Sequence, residues 1–319
     1  MNEQILIPQA VAEGGTVYLQ EHGYRIKMGT GWDEASLIHD VKGCSAILLR
    51  TAIITRRVIE AEPKLKIVAR HGVGFDNVDL AAADENGVYV TNCPFSNSNS
   101  VAECTIGLLL AISKKLMELS DSLRNGNFFY KNNHKGVDLE GKTLGIIGYG
   151  KIGKIVAKKA ALGFGMKILA YDPFVKPEDM PDYVIPADRD TVFQTADFVT
   201  LHLPLSNKTQ KSVGSPEFKM MKKDAYLINC ARGKIINEEE LVTALEEREI
   251  AGAALDVFDP EPPEMDNPIF KLDNAVLTPH IASNTVECME RMARHAAMEI
   301  HKVLSGEDPS WPVNHPVKK

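Results

Sequence analysis

The chain has 319 residues, which favours two domains of ordinary size over one. Its 44% hydrophobic and 25% charged residues are those of a globular protein. A formal net charge of -7 disfavours a nucleic-acid binder that works through a basic face, yet allows a small anionic substrate in a locally basic pocket. Cys44, Cys93, Cys104, Cys230 and Cys288 form an odd count without a C-x-x-C pair. That argues against a disulfide framework or a structural zinc site, and no metal is expected. The opening MNEQILIPQA lacks a basic region followed by an apolar run, so no signal peptide is expected. Ile106 to Ile112, the most apolar run, is too short to span a bilayer. The expectation is a cytoplasmic protein with no membrane and no nucleic-acid partner.

Short apolar runs alternate with longer helical patterns, the mark of a parallel α/β fold. In the first part, strands are expected at Ile5–Ile7, Ala46–Leu49, Leu65–Ala69 and Val88–Thr91, with a crossover helix at Asp79–Glu85. One long helix is expected from Asn99 to about Leu123, ending at Asn125-Gly126. The polar, aromatic-containing stretch Asn127–Lys135 reads as a loop or an arm that packs on a partner subunit. A second α/β series follows, with strands at Thr143–Ile147, Lys167–Ala170, Phe198–Leu201, Tyr226–Ile228, Ala251–Val257 and Ala275–Leu277. The helix Glu238–Glu247 has Asn237 as its cap candidate and Glu240 three residues on. The last helix, Thr285–Leu304, has Asn284 as cap with Glu287 behind it and stops at Gly306. The prolines of the remaining tail make it extended. Two α/β units joined near Asn99 result.

The sharpest local feature is Gly148-Tyr149-Gly150-Lys151-Ile152-Gly153, directly after an apolar strand and before helical periodicity. Gly148 allows a tight turn, Gly150 the close approach of a pyrophosphate, and Gly153 close helix–strand packing. The amides at the helix start face the phosphates. Asp172 ends the next strand, 19 residues beyond Gly153, where a carboxylate accepts from ribose hydroxyls. Its charge repels a 2′-phosphate, so NAD is favoured over NADP.

Three further segments follow strands. Asn229-Cys230-Ala231-Arg232-Gly233 places an arginine at the carboxyl end of a parallel strand, where its planar fork suits an organic carboxylate. Leu255-Asp256-Val257-Phe258-Asp259-Pro260-Glu261 is an acidic, proline-stiffened loop. Leu277-Thr278-Pro279-His280-Ile281-Ala282-Ser283 sets a histidine just past another strand, a group able to exchange a proton with an alcohol or carbonyl. A carboxylate beside it would favour its charged form, and Glu261 is the candidate. Taken singly, a loop acid and a loop histidine are more often solvated surface residues.

In order along the chain, RHGVGFDNVD, GYGKIG, YDP, CARG, LDVFDPEPP and TPHIAS resemble the D-isomer-specific 2-hydroxyacid dehydrogenases, over a span from about Ile47 to the last helix. The resemblance implies two Rossmann-like domains with parallel sheets and a cleft between them. One is a discontinuous, flavodoxin-like substrate domain of residues 1–98 and 285–319, and the other an NAD-binding domain of 99–284. It implies a homodimer built through the NAD-binding domains, with Asn127–Lys135 as a reaching arm. By motif position it implies Arg232, Glu261 and His280 as the catalytic trio. His280 exchanges the proton, Glu261 orients it, and Arg232 clamps the substrate carboxylate and polarises its carbonyl. The backbone amides of Val73 and Gly74 are expected to hold the carboxylate. Cofactor contacts are expected from Gly148, Gly150, Lys151, Ile152, Gly153, Asp172, Cys230, Ala231, Arg232, Asp256, His280, Ala282 and Ser283.

Departures from the family pattern are small. Lys151 stands where arginine is common, and Ala282 replaces a common glycine. Pro279, where formate dehydrogenases of the superfamily carry glutamine, argues against that activity. Arg50 and Arg70 stand where, in phosphoglycerate dehydrogenases, residues meet the substrate phosphate, and LEGKTLG at 139–145 is similar to the same group. The expected substrate is therefore 3-phosphoglycerate, with hydroxypyruvate or glyoxylate reduction as the alternative and no serine feedback domain expected after Lys319. A second class, an NAD-sensing co-regulator that binds partner peptides, is opposed by the complete trio.

Overall fold

The structure is a computed structural model and describes residues 3–316. The chain divides into two compact units, one made of the residues up to Asn97 with those from Asn284 onward, the other of Ser98–Ser283. Both are α/β with a wholly parallel sheet.

The first unit runs β1 (Gln4–Ile7), α1 (Glu13–Glu21), β2 (Arg25–Met28), α2 (Glu34–Asp40), β3 (Ala46–Leu49), α3 (Arg56–Glu60), β4 (Ile67–Arg70), α4 (Leu80–Asn86) and β5 (Tyr89–Thr91). The strand order β2-β1-β3-β4-β5 is flavodoxin-like and reverses direction between β1 and β3. The apolar runs are continuous because both faces are covered. Ile5, Ile7, Ala46, Leu48, Ile67 and Ala69 face one cluster, and Leu6, Ile47, Leu49, Val68 and Val90 face the other. Each such aliphatic side chain contributes about 1.5–3 kcal/mol of burial.

The second unit runs α5 (Ser98–Ser113), α6 (Leu116–Arg124), β6 (Thr143–Ile147), α7 (Lys151–Phe164), β7 (Lys167–Tyr171), β8 (Val184–Pro186), α8 (Arg189–Thr195), β9 (Phe198–Leu201), α9 (Ser215–Met220), β10 (Tyr226–Asn229), α10 (Glu238–Glu246), β11 (Gly252–Leu255) and β12 (Ala275–Leu277). Its order is β12-β11-β10-β9-β6-β7-β8, which reverses between β6 and β9. The chain then returns to the first unit as α11 (Val286–Ser305), which lays Met292, Ala296, Ala297 and Ile300 onto the sheet beside α1. The tail pairs with β5 through Val313 N–H to the Val90 carbonyl (2.8 Å). Among the described residues no helix is long and apolar enough to cross a membrane.

Several expected elements are corrected. The helix expected as one piece from Asn99 to Leu123 is two, broken at Lys115 in a left-handed conformation (φ 54°). The returning chain at Val137 takes up the Ser113 carbonyl at the break (2.7 Å). Asn127–Lys135 contains a 3-10 turn at Phe128–Asn132. β2 and β8 are additions to the expected strands: both lie at sheet edges, β2 mixes charged with apolar residues, and β8 is only three residues long and mostly exposed. Asn237 stands at the N-cap of α10 but makes no side-chain capping bond, and Glu240 instead accepts from Ser215 N–H (2.6 Å). Thr285, not Asn284, caps α11, accepting from Cys288 N–H at 3.2 Å.

Candidate functional site

The glycine-rich turn follows β6 at the strand-order reversal of the second sheet. Gly148 has φ +99°, and a Cβ there would lie 2.6 Å from the His202 carbonyl oxygen, so only glycine fits. A Cβ on Gly153 would lie 2.3 Å from the Gly148 oxygen, which is how α7 comes so close to the strand. Gly150 is different: a Cβ there meets nothing within 4 Å, and as N-cap of α7 it offers no side-chain bond. The helix start is therefore an open cradle of backbone amides, suited to a phosphate. Lys151 is exposed beside it, and Ile152 half-buried. Asp172, just past β7, accepts Tyr149 N–H on Oδ2 (2.9 Å) and Phe174 N–H on Oδ1 (2.8 Å). Each oxygen keeps a lone pair for a ribose hydroxyl. These residues fit a dinucleotide.

The loops after β10, β11 and β12 are tied to one another. Asn229, fully buried, donates to the Arg232 carbonyl (2.9 Å) and accepts from Ala231 N–H (2.9 Å), which fixes the turn that presents Arg232. A Cβ on Gly233 would lie 2.0 Å from the Phe258 carbonyl oxygen, so the backbone of this loop touches that of the next. In the second loop, the Asp259-Pro260 and Glu261-Pro262 peptides are cis. Glu261 Oε1 accepts from Phe258 N–H (3.0 Å) and Oε2 from His280 Nδ1 (2.7 Å). Burial raises the Glu261 carboxyl, but His280, the Phe258 amide and Arg232 together outweigh it and hold the group below the ordinary carboxylate range.

His280 is left-handed (φ 53°), rare for a residue with a side chain. Asp256, fully buried, holds it there. Its Oδ1 accepts from Thr278 Oγ1 (2.6 Å) and Ile281 N–H (2.8 Å), its Oδ2 from Ala282 N–H (2.8 Å), and its carbonyl from His280 N–H (2.8 Å). With Nδ1 donating to Glu261, Nε2 of His280 is left to exchange a proton. The second unit thus brings Arg232, Glu261 and His280 together, with Cys230 and Ala282 buried and Ala231 and Ser283 half-buried around them.

The other expected site residues lie on the first unit, at or just past the carboxyl ends of β3 and β4. Arg50 donates to the Ala10 carbonyl (3.0 Å). Arg70 donates through Nε to Asn77 Oδ1 (3.0 Å) and through a terminal nitrogen to the His71 carbonyl (2.8 Å). Both charges bear on buried His71: burial first, then Arg50 and Arg70, push it down to about 4 against the Met289 carbonyl it meets at 3.2 Å. Val73 and Gly74 are half-buried, and the Val73 carbonyl accepts from Asn92 (2.7 Å). Among the described residues no group of three or more histidine, cysteine or acidic side chains is placed to hold a metal.

Two polar residues that shape the site are not among those the sequence singles out. Asn229 and Thr278 stand inside the quoted motifs, beside Cys230 and Pro279, and that adjacency is the available signal. Their hydrogen bonds are what make rigid turns of those motifs.

Residues 106–282 match the model of the D-isomer specific 2-hydroxyacid dehydrogenase NAD binding domain. The chain is 41% identical over 317 residues to D-3-phosphoglycerate dehydrogenase of Methanocaldococcus jannaschii, covering 98% of this chain and 60% of that one. It is 41% identical over 291 residues to glyoxylate reductase of Thermofilum pendens, covering 89% and 85% respectively. The crystal structure of TT0316 protein from Thermus thermophilus superposes with a TM-score of 0.91 at 35% identity, over 97% of this chain and 99% of that one. With a doubly wound nucleotide domain and a histidine–carboxylate pair, the chain belongs to the D-isomer-specific 2-hydroxyacid dehydrogenase family, and its second unit is that family's NAD-binding domain. It spans about 60% of the length of the first curated phosphoglycerate dehydrogenases it matches.

Proposed function

We propose that this protein is an NAD-dependent dehydrogenase acting at C2 of a small D-2-hydroxy or 2-oxo acid, with 3-phosphoglycerate as the substrate. The observation that carries the reading is the 2.7 Å contact between Glu261 and the Nδ1 of a left-handed His280, in the same unit as Arg232.

Gly148, Gly150, Lys151, Ile152 and Gly153 would hold the pyrophosphate and Asp172 the adenosine ribose, with Cys230, Ala231, Asp256, Ala282 and Ser283 near the nicotinamide. When bound, NAD supplies the acceptor or donor of the hydride. His280 Nε2 takes the proton of the 2-hydroxyl in oxidation and returns it to the 2-oxo oxygen in reduction. Glu261 fixes the imidazole by holding Nδ1. Arg232 pairs with the substrate carboxylate and stabilises negative charge developing on the carbonyl oxygen. The Val73 and Gly74 amides add to the carboxylate contacts. The same carboxylate of Asp172 supports NAD over NADP.

Arg50 and Arg70 support a phosphorylated acid: two guanidinium groups that both act on His71 favour a dianion. Glyoxylate or hydroxypyruvate reduction is the second reading, favoured by the glyoxylate reductase that is as similar to this chain as the phosphoglycerate dehydrogenase. The exposed Leu116, Met117, Leu123, Phe128 and Phe129 support a homodimer formed through the NAD-binding unit. Five cysteines held as thiols support a cytoplasmic location.

The test follows NADH absorbance with 3-phosphohydroxypyruvate, hydroxypyruvate, glyoxylate, pyruvate and 2-oxoglutarate, beside His280→Ala. Preference for the phosphorylated acid, lost in the variant, is expected. Preference for glyoxylate or hydroxypyruvate keeps the mechanism and removes the phosphate role of Arg50 and Arg70. Tight NADH binding without turnover of any acid overturns the enzyme reading in favour of an NAD-sensing co-regulator.

A further inference from the structure

Arg50 follows β3 and Arg70 ends β4. The chain beyond each of them is zipped to the other by a short parallel bridge between Ile54 and Val78. Ile54 N–H donates to the Asn77 carbonyl (2.8 Å), and Asp79 N–H to the Ile54 carbonyl (2.9 Å). The Asn77 side chain completes this seam. Its Nδ2 donates to the Ala52 carbonyl (2.7 Å) and at longer range to the Arg50 carbonyl (3.4 Å), while its Oδ1 accepts from Arg70 Nε (3.0 Å). Only one orientation of the amide serves, because the two carbonyls can only accept and a guanidinium can only donate.

Arg70 is held at a second point. Its Nη1 donates to the His71 carbonyl (2.8 Å), and a Cβ on Gly72 would lie 3.0 Å from that same nitrogen. The guanidinium therefore lies against the Gly72 backbone, with its plane set by two hydrogen bonds. A fork ordered in advance loses less freedom when it meets an anion. The backbone of the next residues is pinned from a different side. Asn92, just past β5, donates to the Val73 carbonyl (2.7 Å), and Cys93 N–H to the Gly72 carbonyl (2.7 Å). Asn77 thus governs the arginine, and Asn92 with Cys93 the loop that bears the Val73 and Gly74 amides.

We propose that Asn77 is a positioning residue that presets Arg70 for a phosphate group, and so sets the preference for a phosphorylated over an unphosphorylated 2-oxo acid. The preference rests on the proposed reading of the substrate; the presetting of Arg70 does not. Asparagine suits the position because it supplies an acceptor and a donor together. Aspartate keeps the acceptor for Arg70 and loses the donor to Ala52, and alanine loses both. Glyoxylate carries the carboxylate and the 2-oxo group without a phosphate, so it reports on the Val73–Gly74 loop and not on Arg70.

The experiment uses the full chain in two measurements. NADH absorbance gives kcat and KM for 3-phosphohydroxypyruvate and glyoxylate in wild type, Asn77→Ala, Asn92→Ala, Arg70→Met and the double variant Asn77→Ala/Arg70→Met. Heteronuclear NMR follows exchange of the Arg70 Nε–H with water, the resonance being assigned by its loss in Arg70→Met. Asn77→Ala is expected to raise KM for the phosphorylated acid about tenfold, as for a weakened charge-assisted contact. Its kcat should stay within about twofold of wild type, and its KM for glyoxylate likewise. In the Arg70→Met background the same substitution should add less than about twofold, because the two residues act as one unit. Asn92→Ala should raise KM for both acids alike. The Arg70 Nε–H should exchange slowly in wild type and Asn77→Asp, and rapidly in Asn77→Ala. Equal loss on both acids in Asn77→Ala, or an effect undiminished in the Arg70→Met background, overturns the proposal. Rapid exchange of the Arg70 Nε–H in wild type overturns it as well, and needs no variant of Asn77 to fold. Slow exchange that Asn77→Ala abolishes, in a protein that reduces glyoxylate but not the phosphorylated acid, supports the presetting of Arg70 and removes the phosphorylated-substrate reading instead.

Discussion

Asp256→Asn tests whether a buried carboxylate is what holds the catalytic turn. Asp256 Oδ1 accepts two hydrogen bonds and Oδ2 one, all from the segment around His280. An asparagine keeps a single acceptor oxygen. Placed at Oδ1, it leaves its amide nitrogen facing the Ala282 N–H at 2.8 Å, donor against donor. Flipped, it serves Ala282 and turns the amide on Ile281 N–H instead. Either way one backbone N–H loses a charge-assisted bond of about 1.5–3 kcal/mol. The left-handed His280 adds about 1 kcal/mol of strain that the clamp no longer offsets. The expected local destabilisation is about 2–4 kcal/mol, or roughly 30- to 1,000-fold in the protection of the Ile281 and Ala282 amides from hydrogen exchange. A shift of about 1 Å in the imidazole would lower kcat about 100-fold. Unchanged protection together with unchanged kcat would refute the idea that Asp256 sets this geometry.

Asp172→Ala should raise KM for NADH about 10- to 100-fold by removing charge-assisted bonds to the ribose, and should narrow the gap to NADPH; steady-state assays with both cofactors decide it. Arg50→Met should raise KM for 3-phosphohydroxypyruvate by a similar factor of about 10 to 100, with glyoxylate turnover little changed. Equal effects on both acids would remove Arg50 from phosphate recognition. His71 is held neutral in the fold, down to about 4, against 6.5 for an ordinary histidine. Above pH 6.5 it is neutral folded and unfolded and changes nothing. As pH falls from 6.5 toward 4 only the unfolded chain takes the proton, so stability should fall by up to about 3 kcal/mol. In His71→Gln, unfolding midpoints across that range should drop less steeply than in wild type.

The sequence is legible where chemistry and local geometry coincide. The glycine turn after β6, Asp172 past β7, and the loops carrying Arg232, Glu261 and His280 all follow strands whose apolar runs mark them. Where burial is partial the signal fades. β2 has the exposed pattern Arg25-Ile26-Lys27-Met28, and β8 is three residues ending in proline. The break at Lys115 arises from a chain segment more than twenty residues further on, which no local periodicity registers. Glu240 reads as part of a cap on its own helix, yet serves a residue on another. For the same reason Asn229 and Thr278 can be read as motif letters but not as clamps, since their partners are set by loops meeting in space.

The contact at Gly233 bears on how this site tolerates change. With no gap between the Arg232 loop and the Phe258 carbonyl, an inserted or enlarged residue in either loop cannot be absorbed where it occurs. It would push the neighbour, and through Glu261 reach His280. The three loops therefore act as one machined part with a single tolerance.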